Sequence, residues 1–221
     1  MKKGKKVLML IFTLLLVFNS SSIYAKKFQD VKGHWSESYI DKLTDTGLMV
    51  GYDGNKFKPD AYISRAEFYS IVNQMAGLKK TYSVTFSDVS TSDWFYNDVA
   101  KGIKAGYIIP TTGKLNPNSP ISRQEVTSIL GYMYKIRPDE SVLKKFRDQS
   151  DILPMNKGYT GALVKLKIVN GYDDGTFKPN AGITRGEISK IICLLIDNYS
   201  LPGERVVVDS KIKFGDRNLY N

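Results

Sequence analysis

The sequence predicts a mainly α-helical fold in which three helix-loop-helix repeats pack into one pseudo-threefold bundle. Three similar segments, 28–78, 86–136 and 146–197, follow one another with a period of 58–62 residues. In the second half of each segment, apolar residues recur at i, i+3, i+4 and i+7, which is the spacing of one face of an α-helix. Three such short faces cannot each be buried alone, so we expect them to pack against one another.

The first element of the chain is a predicted signal peptide over residues 1–25. Lysines at positions 2, 3, 5 and 6 precede an apolar run from Val7 to Phe18, and the small residue Ala25 follows a short polar stretch. The apolar run has about 12 residues, whereas a membrane span needs roughly 20. Cleavage after Ala25 is therefore favoured over a membrane anchor. Removal of this segment lowers the formal charge from +10 to +6.

The predicted repeats follow at 26–80, 84–138 and 144–198, and a tail occupies 199–221. In the first repeat, Trp35, Tyr39, Ile40 and Leu43 share one face of the first helix, and Gly47 is a candidate left-handed C-cap. Asp-Gly and Pro residues between the two helices predict a loop. The second helices share one apolar pattern, formed by Phe68, Ile71, Val72 and Met75, by Val126, Ile129, Leu130 and Met133, and by Ile188, Ile191, Ile192 and Leu195.

The composition excludes several kinds of site. Cys193 is the only cysteine, so an intramolecular disulfide and a cysteine-rich zinc site are excluded, and its apolar surroundings predict a buried free thiol. His34 is the only histidine. The Asp-Gly loop of the third repeat fails the EF-hand spacing because Tyr172 and Ala181 fall where oxygen ligands are needed. We therefore expect no metal and no cofactor. The charge suits contact with polyanions but does not indicate nucleic-acid binding.

A pentapeptide recurs once in each repeat: ISRAE at 63–67, ISRQE at 121–125 and ITRGE at 183–187. Its Ser or Thr and the Glu three residues later predict a capping box at a helix start. Arg65, Arg123 and Arg185 then occupy the first helical position, where the helix dipole disfavours a cation by about 0.3–1 kcal/mol. A compensating anion is expected. The residues alone leave open whether it is an internal aspartate or a ligand carboxylate held by the guanidinium fork; the candidate aspartates are Asp30, Asp88 and Asp148.

The aligned repeats resemble the S-layer homology domain family. The resemblance rests on an F-x-D-V start, a tryptophan shortly after it, a G-Y-x-D-G-T-F-x-P loop and an I-T-R-x-E helix entry. The string NGYDDGTFKPNAGITRGE in the third repeat carries the loop and the entry. Three tandem copies are usual in that family, and here they cover residues 28–197. The resemblance implies a three-pronged bundle with ligand grooves between the prongs.

It also implies a function without catalysis. Such triplets anchor proteins noncovalently to secondary cell-wall polysaccharides, typically pyruvylated ones, of Gram-positive-type envelopes. We therefore expect a secreted, cell-wall or S-layer protein that is not an enzyme and has no membrane contact after signal cleavage. The alternative is a structural envelope protein that docks another surface protein. A glycan-processing enzyme is disfavoured because the Asp173-Asp174 pair lies in a polar turn that would not separate two pKa values. The sequence does not indicate an oligomeric state.

The resemblance favours a ligand carboxylate as the partner of the three arginines. Trp35 and Trp94 lie on apolar helical faces, which favours a core position, while stacking on sugar rings is the alternative. The Gly-Tyr pairs of the loops allow either close backbone approach to a ligand or an ordinary turn. Because only the first repeat keeps both its tryptophan and its Gly-Tyr pair, we expect Arg65 to contribute most. The candidate ligand-binding residues are Arg65, Arg123, Arg185, Trp35, Trp94, Gly51, Tyr52, Gly171 and Tyr172.

Overall fold

The computed structural model describes residues 28–199, and the helical prediction is confirmed. Six α-helices and two short 3₁₀ turns, at Leu143–Lys145 and Gln149–Asp151, account for the regular structure of these residues, which contain no β-strand. The helices are α1 (Glu37–Asp45), α2 (Arg65–Met75), α3 (Tyr96–Ala105), α4 (Arg123–Met133), α5 (Pro154–Lys165) and α6 (Arg185–Asn198). Each repeat contributes two of them. The predicted signal peptide and the tail beyond residue 199 lie outside the described residues.

The second helices α2, α4 and α6 bury their apolar faces, but the expectation that these faces pack mainly against one another is wrong, because each second helix packs on a first helix of another repeat. All twelve apolar residues that the sequence assigns to their inner faces are buried, so the predicted burial of these faces is confirmed. Burial of each such side chain contributes about 1.5–3 kcal/mol before conformational entropy is subtracted. Cys193 is buried on α6, as expected, and burial raises the pKa of its thiol to about 11.

The local sequence explains where α1 ends and where α5 begins. Ile40 and Leu43 of α1 are fully buried. After α1, Gly47 adopts a left-handed conformation with φ of 72°, and the N–H of Leu48 donates to the carbonyl of Leu43. This is the predicted C-cap, in which a positive φ satisfies carbonyls left over at the helix end. Pro154 begins α5, at a position where its missing N–H is no loss.

Each first helix packs against a second helix of another repeat. Helix α3 packs on α2, α5 packs on α4, and α1 packs on α6. The last of these contacts joins the first and third repeats, and an ion pair between Lys42 and Asp197 supports it. None of the six helices in residues 28–199 has the length and hydrophobicity that crossing a bilayer requires.

Three isoleucines, one just before each capping box, meet where the repeats join. The N–H of Ile121 donates to the carbonyl of Ile63, that of Ile183 to Ile121, and that of Ile63 to Ile183, each at 3.1 Å. All three side chains are almost fully buried. These hydrogen bonds close a ring that contains one residue of every repeat. The pseudo-threefold symmetry of the whole bundle stays a prediction, which this cyclic order supports.

Candidate functional site

The capping boxes place the three arginines. In α2, the N–H of Glu67 donates to Ser64 Oγ at 3.2 Å, and the N–H of Ser64 donates to Glu67 Oε2 at 2.9 Å. Helices α4 and α6 begin with the same reciprocal bonds. The predicted capping boxes are therefore confirmed. Arg65, Arg123 and Arg185 occupy the first position of their helices, as expected.

Each arginine meets the capping glutamate of another repeat. Arg65 donates to Glu125 through Nε, at 3.1 Å from Oε1, and through Nη2, at 2.9 Å from both carboxylate oxygens, while its Nη1 donates to the carbonyl of Pro120. Arg123 Nη1 lies 3.1 Å from Glu187 Oε1. Arg185 Nη1 lies 3.7 Å from Glu67 Oε1. The repeats are thereby linked in cyclic order, first to second, second to third and third to first.

An internal anion, one of the two alternatives that the sequence left open, does accompany each arginine, but it is a glutamate. The internal candidates named from sequence, Asp30, Asp88 and Asp148, are wrong. The carboxylate of Asp30 accepts the N–H groups of Phe57 and Lys58 at 2.9 and 2.8 Å. Asp88 and Asp148 accept equivalent loop amides of their own repeats. Burial raises the pKa of Asp30 and Asp88, but these amide donors outweigh it and hold both pKa values below the ordinary range. The aspartates hold the loops in place, and none of them forms an ion pair with the three arginines in the part of the chain that the structure describes.

Arg123 and Arg185 are buried, whereas Arg65 is less so, with side chains 5%, 5% and 19% exposed. Arg123 also donates to the carbonyls of Phe177 and Asn170 at 3.0 and 2.9 Å. Its guanidinium carbon lies 4.8 Å from the ring centroid of Tyr172, within range of a cation–π contact.

Arg185 repeats this arrangement with the first repeat. It donates to the carbonyls of Phe57 and Val50 at 2.9 and 2.5 Å, and it lies 4.6 Å from the ring centroid of Tyr52. Burial lowers the pKa of its guanidinium, which stays charged at neutral pH. Two of the three predicted arginine sites are thus nearly identical in their protein contacts.

The Gly-Tyr pairs have structural roles in the loops. A Cβ on Gly51 would lie 2.0 Å from a ring carbon of Phe28, and one on Gly171 would lie 2.2 Å from the ring of Phe146. Only glycine therefore allows each loop to pack on the aromatic residue that starts its repeat. Tyr52 donates its hydroxyl to Glu67 at 2.5 Å, and Tyr172 donates to Glu187 at 3.0 Å.

Trp35 and Trp94 lie at the surface, with 54% and 63% of their area exposed. The core position that helical spacing favours for them is wrong. The physical reason is that α1 begins at Glu37 and α3 at Tyr96, so each tryptophan precedes its helix and is not on the inner face. An exposed indole at a fixed position is available to a ligand.

A groove of about 190 Å³ brings together predicted site residues from all three repeats. Trp35 comes from the first repeat, Arg123 from the second, and Gly171 and Tyr172 from the third. We call it the Trp35 groove. Its remaining lining residues are Ile168, Val169, Asn170, Glu187, Lys190 and Ile191. It forms because α1 packs on α6 while the start of α4 contacts the loop of the third repeat.

A second groove, of about 510 Å³, surrounds Arg65 and Glu125. We call it the Arg65 groove. Met155 of the third repeat contributes here, at the position where the other repeats have tryptophan, and the second repeat has no Gly-Tyr pair to offer. Ile109, Leu153 and Met155 are exposed around it. The Arg65 groove is therefore larger and more apolar than the Trp35 groove.

Three interlocked helical repeats with grooves built from several repeats define a tandem-repeat helical module. The model of the S-layer homology domain matches residues 27–68, 85–127 and 145–188. The chain belongs to this family.

Relatives of the chain include both enzymes and surface-layer proteins. An amylopullulanase of Thermoanaerobacterium thermosulfurigenes is 30% identical over 79% of this chain and 10% of its own length. An S-layer protein of Bacillus anthracis is 30% identical over 76% of this chain and 21% of its own length. A cellulosome-anchoring protein of Acetivibrio thermocellus is 34% identical over 35% of this chain and 18% of its own length. The chain spans about a tenth to a fifth of these relatives.

The region that these proteins share occurs in enzymes and in S-layer proteins alike. Together with the family match, it points to a non-catalytic anchor module. It also indicates a location at the cell wall or cell surface. In residues 28–199, no group of three or more His, Cys, Asp or Glu side chains is arranged to hold a metal ion.

Proposed function

We propose that this chain is a noncovalent cell-surface anchor that binds secondary cell-wall polysaccharide of a Gram-positive-type envelope in the grooves between its repeats. Carboxylates of the glycan, such as those of pyruvate ketals, are the groups that the arginine-containing grooves would recognise. The names of the cellulosome-anchoring and S-layer relatives support anchoring as the role of the shared module.

The observation that carries this proposal is the composition of the Trp35 groove. A half-exposed indole faces the same space as Arg123 and Tyr172. Sugar rings present apolar C–H faces that stack on aromatic rings, while their substituents need hydrogen-bond donors. The described hydrogen bonds of Arg123 use three of its five N–H groups, so donors remain for a ligand oxygen.

The third groove is inferred from the repeat pattern. Arg185 contacts Tyr52 and Glu67 as Arg123 contacts Tyr172 and Glu187. Because α3 packs on α2 as α1 packs on α6, the equivalent tryptophan is Trp94. We propose that Gly51, Tyr52, Arg185 and Trp94 belong to this third groove.

The grooves are therefore expected to bind with unequal strength. The first repeat alone keeps both its tryptophan and its Gly-Tyr pair, which favours Arg65 as the strongest binding residue. The structure assembles these elements from different repeats, however, and the Trp35 groove, which combines a tryptophan with a Gly-Tyr pair, contains Arg123. The Arg65 groove has Met155 in place of an indole and no Gly-Tyr loop. We propose that the Trp35 groove is the principal carbohydrate site and that Arg65 contributes less.

The test is cosedimentation of the purified chain with cell walls that carry their polysaccharide, walls stripped of it, and walls depleted of pyruvate. We expect binding to the first, none to the second and weaker binding to the third. Trp35→Ala should weaken binding at an unchanged melting temperature because the side chain is exposed. Equal binding to intact and stripped walls would overturn the proposal.

A second candidate function is docking of another surface protein, and the Arg65 groove favours it. Ile109, Leu153 and Met155 are exposed at 47%, 52% and 38% around this groove, and exposed apolar clusters mark protein contact sites. On this reading, walls stripped of polysaccharide but retaining their proteins would still bind the chain, and Ile109→Lys would abolish that binding.

A further inference from the structure

The charges of the Trp35 groove do not balance within the groove itself. Arg123 and Glu187 lie 3.1 Å apart and neutralise each other. Tyr172 also donates to Glu187, and the second oxygen of that carboxylate accepts the N–H of Thr184. Lys190 is the remaining charged residue of the lining. The groove therefore carries one net positive charge, and Lys190 supplies it.

Lys190 has no carboxylate partner within residues 28–199, where the ion pairs of α6 involve Arg185, Glu187 and Asp197. It lies one helical turn after Glu187, yet that carboxylate is already occupied by Arg123 and Tyr172. A partly exposed lysine at the wall of a groove that forms no ion pair with the carboxylate nearest to it in sequence is a binding group for a ligand anion.

The lysine is specific to this groove. Five residues after the helix-start arginine, the first repeat has Ser70 and the second has Ser128. Ser128 is buried and donates to Asn156 at 2.7 Å, so it cannot serve as an equivalent binding group. The cation at this position is therefore specific to the Trp35 groove.

We propose that Lys190 is the residue that selects acidic glycans, by pairing with a carboxylate of the sugar whose ring stacks on Trp35. This proposal rests on the proposed function and assigns the charge recognition within it. Arg123 alone is insufficient, because a ligand carboxylate beside it would also lie close to the carboxylate of Glu187. A second cation offsets that repulsion. Arg123 then contributes its remaining N–H groups and the floor of the groove, and Lys190 supplies the net charge.

The test is calorimetric titration of purified wall polysaccharide, in its native acidic form and after removal of its pyruvate, into the full chain and its variants. We expect Lys190→Gln to lose about ten-fold in affinity for the acidic glycan, as for loss of one charge-assisted hydrogen bond. Its affinity for the neutral glycan and its melting temperature should be unchanged. Lys190→Arg should restore most of the affinity, and the salt dependence of binding should fall in Lys190→Gln.

Two further variants serve as controls. Lys104→Gln removes the same charge from an exposed position on α3 and should bind both glycans like the parent. Trp35→Ala should weaken binding of both glycans. If Lys190→Gln binds the acidic glycan like the parent, or weakens both glycans equally, the assignment of Lys190 is overturned while the anchor function stands. If the parent binds neither glycan, the proposed function fails and the assignment fails with it.

Discussion

Arg123 and Arg65 occupy equivalent positions, yet their removal should differ in its effect on stability. We consider Arg123→Met and Arg65→Met, which keep much of the side-chain length and remove the charge. Arg123 is 5% exposed and donates to two backbone carbonyls in addition to Glu187. Its loss removes the arginine donor from those two carbonyls and leaves Glu187 without its cation, although Tyr172 and Thr184 still donate to that carboxylate. Breaking a buried pair costs about 3–5 kcal/mol, and because Glu187 is 23% exposed we expect about 3 kcal/mol.

Arg65 should matter less. Its side chain is 19% exposed and that of Glu125 is 33% exposed, so water replaces part of the lost contact. We expect about 1 kcal/mol, the upper end of the range for accessible ion pairs. For a domain of this size, 1 kcal/mol corresponds to roughly 2–4 °C in melting temperature. The two variants should therefore differ by roughly 4–8 °C.

The assay is urea and thermal unfolding followed by far-ultraviolet circular dichroism. A matched control is the double variant Arg123→Met with Glu187→Gln, which removes both charges and should recover part of the loss. The reasoning is refuted if Arg65→Met destabilises as much as Arg123→Met, or if Arg123→Met is as stable as the parent. The latter result is what the sequence alone predicts, since loss of a cation at a helix start relieves a small dipole penalty.

Three further outcomes are expected. Because burial raises the pKa of the Cys193 thiol to about 11, iodoacetamide should modify it slowly in the native protein and rapidly in urea, as followed by mass spectrometry; rapid native labelling would contradict this. Gly161→Ala should lower the urea midpoint by the equivalent of about 1–3 kcal/mol, since its Cβ would lie 2.1 Å from the carbonyl oxygen of Asp139; an unchanged midpoint would show that the loop relaxes. Burial raises the pKa of Asp30 and Glu67, but hydrogen bonds outweigh it and hold both values below their ordinary ranges. The stability that these groups contribute is therefore present above about pH 4 and is lost as the pH falls through the native pKa values; a urea midpoint that stays constant between about pH 5 and pH 2 would be evidence against these contacts.

The local features of the fold could be predicted from sequence because neighbouring residues determine them. The capping box of Ser64 and Glu67 lies within one helical turn, and the C-cap at Gly47 depends on a single left-handed residue. Apolar spacing likewise identified the buried faces of the second helices. These signals do not depend on which repeat packs against which.

The arrangement of the site depends on contacts between repeats, and sequence reasoning misplaced part of it. The partner of Arg123 is Glu187, more than sixty residues away, and no local pattern reveals that pairing. Trp35 was assigned to a helical face, although α1 begins two residues later. Lys190 was missed entirely. The available signal was that the third repeat alone has a cation where the aligned repeats have Ser70 and Ser128.

The contact between α1 and α6 determines how a tensile force would travel through the module. Helix α6 is the last helix of the three repeats, yet it packs on the first, and Arg185 at its start bonds to carbonyls of the first repeat. A tensile force applied at Asn198 is therefore borne by both the third repeat, which contains α6, and the first repeat, on which α6 packs. The module cannot unravel from its carboxyl side one repeat at a time, because that side yields only when the α1–α6 contact breaks.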